Sequence, residues 1–297
     1  MNRRVLVTGA TGFTGSYVVP LLLRDNYHVR CLVRETSKTN VLPVKEVELV
    51  YGDLDDFTSL MRGLECMDVL VNIASLGFGH APNIVKAAVA AGTQRAIFVS
   101  TTAVKTNLNV RSKSIRLAAE EAIRESGLAY TILRPTMIFG SSRDRNICRL
   151  VRYLNRWPVI PIFGDGESLQ QPVYVADLAQ AIVQALGSLN SIGKIYDISG
   201  AAPSTYNELI RTACALMDRQ VRKIHLPAGP VVKALRAIEA VTRRLPIKAE
   251  QIERLNEDKS FDHRAAAEDF AYRPRSLREA LTLELEEMGL DAGKGVS

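Results

Sequence analysis

The chain has 297 residues, of which 47% are hydrophobic and 24% charged, and its formal net charge is +6. This composition excludes disordered and fibrous proteins, and the length suits one large α/β domain with a smaller appendage. No apolar run reaches the roughly 18 to 20 residues that a membrane span requires, and the amino terminus begins with a strand pattern instead of a secretory leader. We therefore expect a cytoplasmic protein.

The positions of the cysteine, histidine and basic residues argue against a metal-binding and a nucleic-acid-binding protein. The four Cys and four His are scattered without the paired spacing of a metal site, so the sequence predicts buried thiols and no metal. The positive charge is concentrated in residues 218–254, which hold nine Lys or Arg against four acids. No aromatic side chain interleaves with these charges, which argues against nucleic-acid binding.

Strand and helix patterns alternate through the first 135 residues. In chain order the predicted strands are "RVLVTG", "HVRCLVR", "VELVYGDL", "MDVLVNIAS", "RAIFVSTT" and "AYTILRP". The predicted helices between them are "FTGSYVVPLLLRDN", "DDFTSLMRGLE", "APNIVKAAVAAG" and "RSKSIRLAAEEAIRESG". Apolar strands joined by amphipathic helices are typical of parallel strands with crossover connections, so the sequence predicts an α/β fold with a doubly wound parallel sheet.

The regular alternation ends near Pro135. Beyond it, short strands, Pro/Gly turns and isolated helices predict a smaller, partly interleaved lobe. We therefore predict a first domain at residues 1–135 and a second at 136–297, with the strands near Val173 and Tyr196 free to return to the main sheet.

The stretch "TGATGFTG" places Gly9, Gly12 and Gly15 between the first strand and the first helix. Glycines at such a bend permit positive φ and remove the Cβ atoms that would keep a pyrophosphate away from backbone amides. The helix that begins near Phe13 would point its partly positive end at the phosphates. The strand before, the helix after and the second strand about twenty residues on favour dinucleotide binding over a merely structural turn.

The residues after the second strand bear on the choice of coenzyme. An acid at this point would receive the ribose hydroxyls of NAD, whereas this chain has Arg34, with Lys38 close behind. A guanidinium fork on a 2′-phosphate favours NADP over NAD. The alternative is that Arg34 is a solvated strand end and Glu35 receives the ribose.

Further cofactor contacts are expected at the carboxyl ends of the strands. Asp53 would suit the adenine amino group, and Asn72, Ala74 and Ser75 would flank the nicotinamide side. The complete predicted cofactor site comprises Gly9, Thr11, Gly12, Phe13, Thr14, Gly15, Arg34, Lys38, Asp53, Leu54, Asn72, Ala74, Ser75 and Pro135.

"TGATGFTG", "GDLDD", "VNIAS", "FVSTTAV", "ILRPTMIFG" and "PVYVADLAQAI" together resemble an extended or atypical short-chain dehydrogenase/reductase of the epimerase/dehydratase kind. The resemblance runs almost the whole chain. It implies a Rossmann cofactor domain, a small carboxy-terminal substrate lobe, and a Tyr-x-x-x-Lys dyad after the fifth strand. In that dyad the lysine lowers the tyrosine pKa, and the phenol exchanges the proton that accompanies hydride transfer.

This chain lacks the dyad, because no tyrosine lies between Tyr51 and Tyr130. One register of the family pattern places Ser112 and Arg116 at the two positions, and another places Asn109 and Lys113 there. Thr101 follows the fifth strand, where the family keeps a substrate-orienting hydroxyl. The predicted catalytic residues are therefore Thr101, Ser112, Lys113 and Arg116. A structural alternative is that Ser112 caps its helix and Arg116 pairs with Glu120 on a solvated face.

Two functions of different classes follow. One is an NADP-preferring oxidoreductase or epimerase that acts on a nucleotide sugar or related carbonyl compound, with Arg143, Arg145 and Arg149 as candidate diphosphate contacts. The other is an NADP(H)-binding sensor, scaffold or assembly protein without turnover. The amphipathic stretch from Val231 to Leu245 would also suit an anionic membrane surface, although such stripes more often pack on their own domain. A homodimer is the oligomer that the resemblance implies.

Overall fold

The computed structural model describes residues 3–108, 111–242 and 248–290. Asn109, Arg243, Arg244 and Leu245, which the sequence interpretation included, lie outside the described residues. The main sheet has seven parallel strands, so the predicted α/β class and doubly wound sheet are confirmed.

Thirteen strands and eleven helices are assigned within the described residues. The strands are β1 (Arg4–Thr8), β2 (His28–Val33), β3 (Glu48–Tyr51), β4 (Val69–Asn72), β5 (Arg95–Val99), β6 (Tyr130–Pro135), β7 (Ile138–Phe139), β8 (Val159–Phe163), β9 (Leu169–Gln170), β10 (Val173–Tyr174), β11 (Lys194–Ile198), β12 (Ser204–Thr205) and β13 (Arg222–Leu226). The helices are α1 (Gly15–Arg24), α2 (Phe57–Leu64), α3 (Ala81–Ala90), α4 (Arg111–Arg124), α5 (Ile147–Arg156), α6 (Val175–Gly187), α7 (Tyr206–Leu216), α8 (Ala228–Val241), α9 (Ala249–Leu255), α10 (Arg264–Phe270) and α11 (Leu277–Met288).

Several helices begin at side chains that satisfy their first backbone amides. Asp56 accepts hydrogen bonds from the amides of Thr58 and Ser59 at the start of α2. Thr205 and Ser276 form reciprocal capping boxes with Glu208 and Glu279 at the starts of α7 and α11. Capping of this kind fixes helix starts, because the first amides of a helix have no partner within it.

The chain forms two compact units. The first comprises residues 1–136, 175–198 and 262–273, and the second comprises 137–174, 199–261 and 274–297. This division differs from the predicted boundary, since the chain re-enters the first unit twice after residue 136. Tyr196 lies in β11, which joins the main sheet beside β6, whereas Val173 lies in β10, which pairs with β7 in a separate two-stranded sheet.

In the first unit the strand order is β11-β6-β5-β4-β1-β2-β3. The order reverses at β1, whose neighbours are β2 and β4, and this reversal point is where open α/β sheets bind ligands. All side chains of β4 and β5 are buried, and β1 is buried beyond Arg4. Strands covered on both faces read as continuous apolar runs, which explains the patterns in the sequence.

Arg95 is a buried arginine at the opposite, amino-terminal end of β5. Its guanidinium donates to the carbonyls of Ala129 and Ala185 and to the hydroxyls of Thr131 and Ser191, at 2.5 to 3.1 Å. Burial lowers the pKa of Arg95 to about 10. Carbonyl and hydroxyl acceptors therefore hold β5, β6 and the segment after α6 together, at the end of the sheet away from the predicted cofactor.

The second unit contains a buried pair of carboxyl groups. Glu284 in α11 is fully buried, and Asp144 is 6% exposed. Asp144 accepts hydrogen bonds from the backbone amides of Asn146 and Cys148 as α5 begins. Burial, followed by the adjacent Asp144 carboxyl, raises the pKa of Glu284 to about 10. Glu284 therefore keeps its proton at neutral pH.

No helix within residues 3–108, 111–242 and 248–290 has the length and hydropathy of a membrane span. Cys31, Cys148 and Cys214 are buried, but Cys66 is exposed, so the prediction of four buried thiols is wrong at that position. Cys66 follows α2 with a φ of +59°, in a turn that keeps its side chain outside the core.

Candidate functional site

The three loop glycines form a bend that side chains would fill. Gly9 has a φ of +72°, and a Cβ at that position would lie 2.7 Å from the backbone nitrogen of Ala74. A Cβ at Gly15 would lie 2.3 Å from the carbonyl oxygen of Gly9. The amide of Gly12 donates to that same carbonyl at 3.0 Å. The loop is therefore as tight as a phosphate-binding bend requires, and its backbone is open to a ligand.

Helix α1 begins directly after this bend. Thr14, at its N-cap, makes no side-chain capping bond, and the first turn contains no acidic residue. The first amides of a helix carry partial positive charge and have no acceptor within the helix. Thr11, Phe13 and Thr14 lie in this bend, so the predicted phosphate-binding residues are brought together by the fold.

Arg34 follows β2 in a turn that fixes its backbone. Its amide donates to the Ser37 hydroxyl at 3.1 Å, and its carbonyl accepts from the Ser37 amide at 2.9 Å. The side chains of Arg34, Glu35 and Lys38 are all exposed. Within the described parts of the chain, no carboxylate forms an ion pair with Arg34 or Lys38. Both cations at this strand end are therefore available to an anionic ligand.

The loop after β3 presents Asp53 and Leu54. Asp53 is exposed, its Oδ1 accepts from the Asp55 amide at 3.0 Å, and Leu54 is half-buried against the core. Asp55 in turn contacts Nδ1 of His80 at 2.6 Å, and its carbonyl accepts from the side chain of Asn83. These bonds connect the loop to the start of α3. The predicted adenine contacts thus lie on a loop that α3 supports.

Asn72 differs from its predicted surroundings, because its side chain is completely buried. Its Oδ1 accepts from the Thr8 hydroxyl at 2.7 Å, and its amide nitrogen donates to the Ala74 carbonyl at 3.1 Å. Thr8 and Asn72 are paired residues of β1 and β4, so this bond ties the two strands together where both end. Asn72 shapes the loop that holds Ala74 and Ser75, and direct contact with a nicotinamide stays a prediction.

Ser75 and Thr101 each begin a short 3-10 turn after a strand. Ser75 Oγ accepts from the Gly77 amide, and Thr101 Oγ1 accepts from the Ala103 amide, both at 3.2 Å. The Thr101 hydroxyl keeps its own proton for donation, and the side chain is half-buried. Pro135 ends β6, and its carbonyl accepts from the Thr102 hydroxyl at 3.3 Å.

The remaining predicted catalytic residues lie on α4. Lys113 donates from Nζ to the Thr106 carbonyl at 2.6 Å, and Arg116 contacts the Ser112 carbonyl at 3.5 Å. The Arg116 guanidinium covers Gly77, where an added Cβ would lie 2.9 Å from its central carbon. Arg116 thus lies against the loop after β4, and it does not form the predicted pair with Glu120.

Glu120 is a buried ion-pair residue, which corrects the interpretation of it as a surface charge. It is 3% exposed and accepts from the Ser100 hydroxyl at 2.5 Å. Both of its oxygens also accept from Arg134 in β6, one of them at 3.0 Å from Nε. The Glu120 hydrogen bond raises the pKa of Arg134 above its ordinary value. Glu121 beside it is exposed and pairs with Arg124.

This buried network was missed by the sequence interpretation, although a signal for it exists. Glu120 follows the buried Ala119 and precedes the buried Ile123 by three positions, which places it on the apolar side of α4. Arg134 interrupts an otherwise apolar strand. A second ion pair, between Lys105 and Asp197 of β11, lies at the same edge of the sheet. Charged groups therefore crosslink β5, β6, β11 and α4 where the strands end.

The described residues form no cluster of metal ligands, and the remaining candidate residues lie in the second unit. Across residues 3–108, 111–242 and 248–290, no three His, Cys, Asp or Glu side chains stand together as metal ligands. Arg143, Arg145 and Arg149 are exposed around the start of α5. Tyr174 is nine-tenths buried and packs edge to face on Phe139.

The strand, glycine bend and helix at the switch point of a parallel sheet define a Rossmann protein that binds a nicotinamide dinucleotide. The chain belongs to the NAD(P)H-binding family, whose pattern matches residues 9–188. This match confirms the NAD(P)-binding Rossmann class that the resemblance to an extended or atypical short-chain dehydrogenase/reductase implied.

The relatives of this chain differ from one another in activity. A ceramide reductase of Caulobacter vibrioides is 29% identical over 250 residues, which cover 80% of this chain and 77% of that protein. Subunit 9 of the NADH dehydrogenase (ubiquinone) 1 alpha subcomplex of Dictyostelium discoideum is 27% identical over 220 residues, or 69% of this chain. The match covers 61% of that mitochondrial subunit, so this chain spans about three fifths of its length.

Solved structures show the same fold. UDP-glucose 4-epimerase of Thermotoga maritima, solved with UDP-glucose, matches with a TM-score of 0.75 and 20% identity. The match covers 96% of this chain and 98% of that chain. At this identity the likeness establishes the architecture and leaves the substrate open.

Proposed function

We propose that the chain is an NADP(H)-dependent oxidoreductase or epimerase/dehydratase that acts on a carbonyl or hydroxyl group, with a nucleotide sugar as the substrate class to test first. The observation that carries this proposal is the glycine bend, with the unpaired cations Arg34 and Lys38 at the neighbouring strand end. The glycine bend suits the diphosphate of a dinucleotide, and the two cations suit a 2′-phosphate.

The chain's own residues have distinct tasks in this proposal. The first amides of α1 bind the diphosphate, and the Arg34 guanidinium forms a fork on the 2′-phosphate. When bound, the nicotinamide supplies or accepts the hydride. The Thr101 hydroxyl donates a hydrogen bond to the substrate oxygen, and Ser112 and Lys113 on α4 are the candidate proton donors in place of the family tyrosine. Arginine cannot exchange its proton at neutral pH, so Arg116 is not the proton donor. Its guanidinium holds the ribose instead.

The relatives support hydride-transfer chemistry, and they suggest two substrate classes. One relative is a reductase of ceramide, and one structural neighbour was solved with a nucleotide sugar. Both substrates have hydroxyl-bearing carbons, and interconversion of such a carbon with a carbonyl requires hydride transfer to or from a nicotinamide. The basic surplus of the second unit suits a diphosphate, so it favours the nucleotide sugar.

A second candidate function is cofactor binding without turnover. The sequence favours it, because the family phenol is missing from the chain between Tyr51 and Tyr130. The Lys113 ammonium, which would hold the nicotinamide ribose, instead donates to the Thr106 carbonyl. A mitochondrial NADH dehydrogenase subunit among the relatives is consistent with an assembly or scaffold role.

Coenzyme titration of Arg34→Asp tests the coenzyme assignment. We expect NADPH affinity to fall by roughly a hundredfold and NADH affinity to change by less than about threefold, measured by calorimetry. Lys45→Asp makes the same charge change at an exposed position between β2 and β3 and is the control. Equal losses for both coenzymes would overturn the NADP preference, and saturable binding of neither would overturn the proposal.

Turnover separates the two candidates. Purified protein loaded with NADPH is challenged with nucleotide sugars and with long-chain ketones, and oxidation is followed by absorbance near 340 nm. Oxidation by any of these substrates that is lost in Thr101→Val supports the enzyme. Tight coenzyme binding with no oxidation across the panel would favour the sensor or scaffold.

A further inference from the structure

The second unit contains an apolar sheet face that lacks a cover within the described chain. In β8, Ile160 and Ile162 are buried, while Val159, Pro161 and Phe163 on the other side are only half-buried. The parallel register of β8 with β13 places Ile224 beside Pro161 and Leu226 beside Phe163. Side chains paired in this way share a face of the sheet. We call this side the β8–β13 face.

Aromatic residues border this face. Tyr153 and Trp157 at the end of α5 are 38% and 50% exposed, and Ile224 is 44% exposed. Together with Pro158, Val159, Pro161, Ile224 and Leu226, the two aromatic residues line an open groove of about 380 Å³.

Basic residues are concentrated in the two chain segments that carry the face. Residues 145–164 contain four Arg and no acid, and residues 219–238 contain five Lys or Arg and no acid. The rest of the chain holds 29 basic and 32 acidic residues, so the whole positive excess lies in these two segments. Arg222 is paired with Val159 on the face itself, and the Arg156 guanidinium lies 5.7 Å from the centre of the Trp157 ring.

We propose that the β8–β13 face docks on an anionic lipid bilayer. Tryptophan and tyrosine favour the interface between headgroups and acyl chains, and arginine and lysine around them attract anionic headgroups. The groove is lined by Pro, Val, Ile and Leu side chains together with Tyr153 and Trp157. The rings of these two aromatic residues suit the acyl-chain boundary, and their polar atoms suit the headgroup layer.

Helix α8 does not carry this role by itself. Val231 and Leu235 of its apolar stripe are half-buried, and Arg236 is engaged by Glu253 of α9 at 2.5 Å. Of the described stripe, Ile238, at 44%, and Thr242 are exposed. The β8–β13 face, which combines exposed aromatic and basic side chains, therefore suits a membrane surface better than α8 does.

Trp157 is the single tryptophan, so its fluorescence reports directly on this face. The full chain is mixed with vesicles of phosphatidylcholine and phosphatidylglycerol at about 70:30, and with vesicles of phosphatidylcholine alone. We expect co-sedimentation and a blue shift of Trp157 emission with the anionic vesicles only, both reversed by high salt. Lipids brominated on the acyl chain should quench the emission if the indole enters the bilayer.

Variants separate the apolar contribution from the charge. Arg156→Gln/Arg222→Gln should weaken binding to anionic vesicles by about thirtyfold, since each basic residue at such a surface contributes roughly fivefold. Tyr153→Ser should weaken it by roughly tenfold through lost apolar area. Arg3→Gln/Arg24→Gln, and Leu189→Ser at an 80% exposed leucine of the first unit, are the matched controls.

Each outcome of these experiments bears on the proposal. Vesicle binding that the face variants weaken and the controls preserve supports it, provided that circular dichroism shows the variants to be folded. An unchanged Trp157 spectrum with no co-sedimentation overturns it, as does binding that the control pairs weaken equally. Capture of a protein from membrane-free extract, without any lipid binding, would assign the face to a protein partner instead.

Discussion

The two ends of the candidate site are built by different means. At the glycine bend, backbone atoms form the binding surface, and the sequence requirement is the absence of side chains. At the end of β5 and β6, the buried carboxylate of Glu120 holds the chain by accepting from the half-buried Arg134 and Ser100 side chains. Backbone binding leaves a sequence motif that can be recognised, whereas a side-chain network becomes visible only when the fold brings its members together.

Breaking the buried ion pair gives the largest expected effect. Arg134→Leu leaves Glu120 buried without its cation, so we expect a loss of about 3 to 5 kcal/mol in unfolding free energy, measured by urea denaturation. Coenzyme affinity of the folded fraction should change little, because the phosphate-binding bend lies elsewhere.

Two further variants control that measurement. Arg124→Leu removes the cation of Glu121 on the exposed side of the same helix, and it should cost less than about 1 kcal/mol. Glu120→Leu/Arg134→Leu removes both charges and should recover most of the lost stability. If Arg134→Leu were as stable as the unmodified chain, the network would not support this end of the sheet.

The glycine bend is tested by comparing two positive-φ glycines. Gly9→Ala places a Cβ 2.7 Å from the Ala74 backbone, and we expect NADPH affinity to fall at least about a hundredfold with a lower melting temperature. Gly92→Ala has similar backbone strain, with a φ of +69°, but no atom lies within 4 Å of its Cβ.

The difference between these variants separates the effect of the Cβ contact with Ala74 from the effect of backbone strain at positive φ. Gly92→Ala should lower stability by about 1 kcal/mol and leave the dissociation constant unchanged. Should Gly9→Ala also bind NADPH normally, the bend would be a structural turn and the contrast between the two ends would fail.

Arg116 links the two ends, and its role gives the smallest expected effect. Gly77→Ala displaces the Arg116 guanidinium, which lies 2.9 Å from the new Cβ, and we expect about tenfold weaker NADPH binding with the fold intact. Gly79→Ala in the same loop meets no atom within 4 Å and is the control.

A double-mutant cycle completes this test. Arg116→Ala should match the loss in Gly77→Ala, and the combined variant should add nothing further, because both remove one interaction. Additive losses would show that Gly77 acts through another group.

Sequence periodicity predicted the first unit well, because strands buried on both faces and amphipathic crossovers leave strong patterns. The prediction allowed the strand near Tyr196 to return to the main sheet, as β11 does, but it did not include α6 or residues 262–273 in the first unit. Single helices carry no signal of which unit they join. In the candidate site, the glycine bend and the exposed Arg34 followed from spacing. The burial of Asn72 and the pairing of Glu120 did not, because both depend on contacts between distant segments.

The protonated carboxyl of Glu284 couples folding to the uptake of a proton. The unfolded chain loses this proton near the ordinary glutamate pKa, whereas the folded chain holds it to about pH 10. The stabilisation that this carboxyl contributes is therefore complete below the ordinary glutamate pKa, and it is lost as the pH rises from there to about 10. Unfolding at neutral pH should release one proton, which calorimetry in buffers of different ionisation enthalpy would register. Glu284→Gln should abolish that release and protect the second unit in alkaline solution.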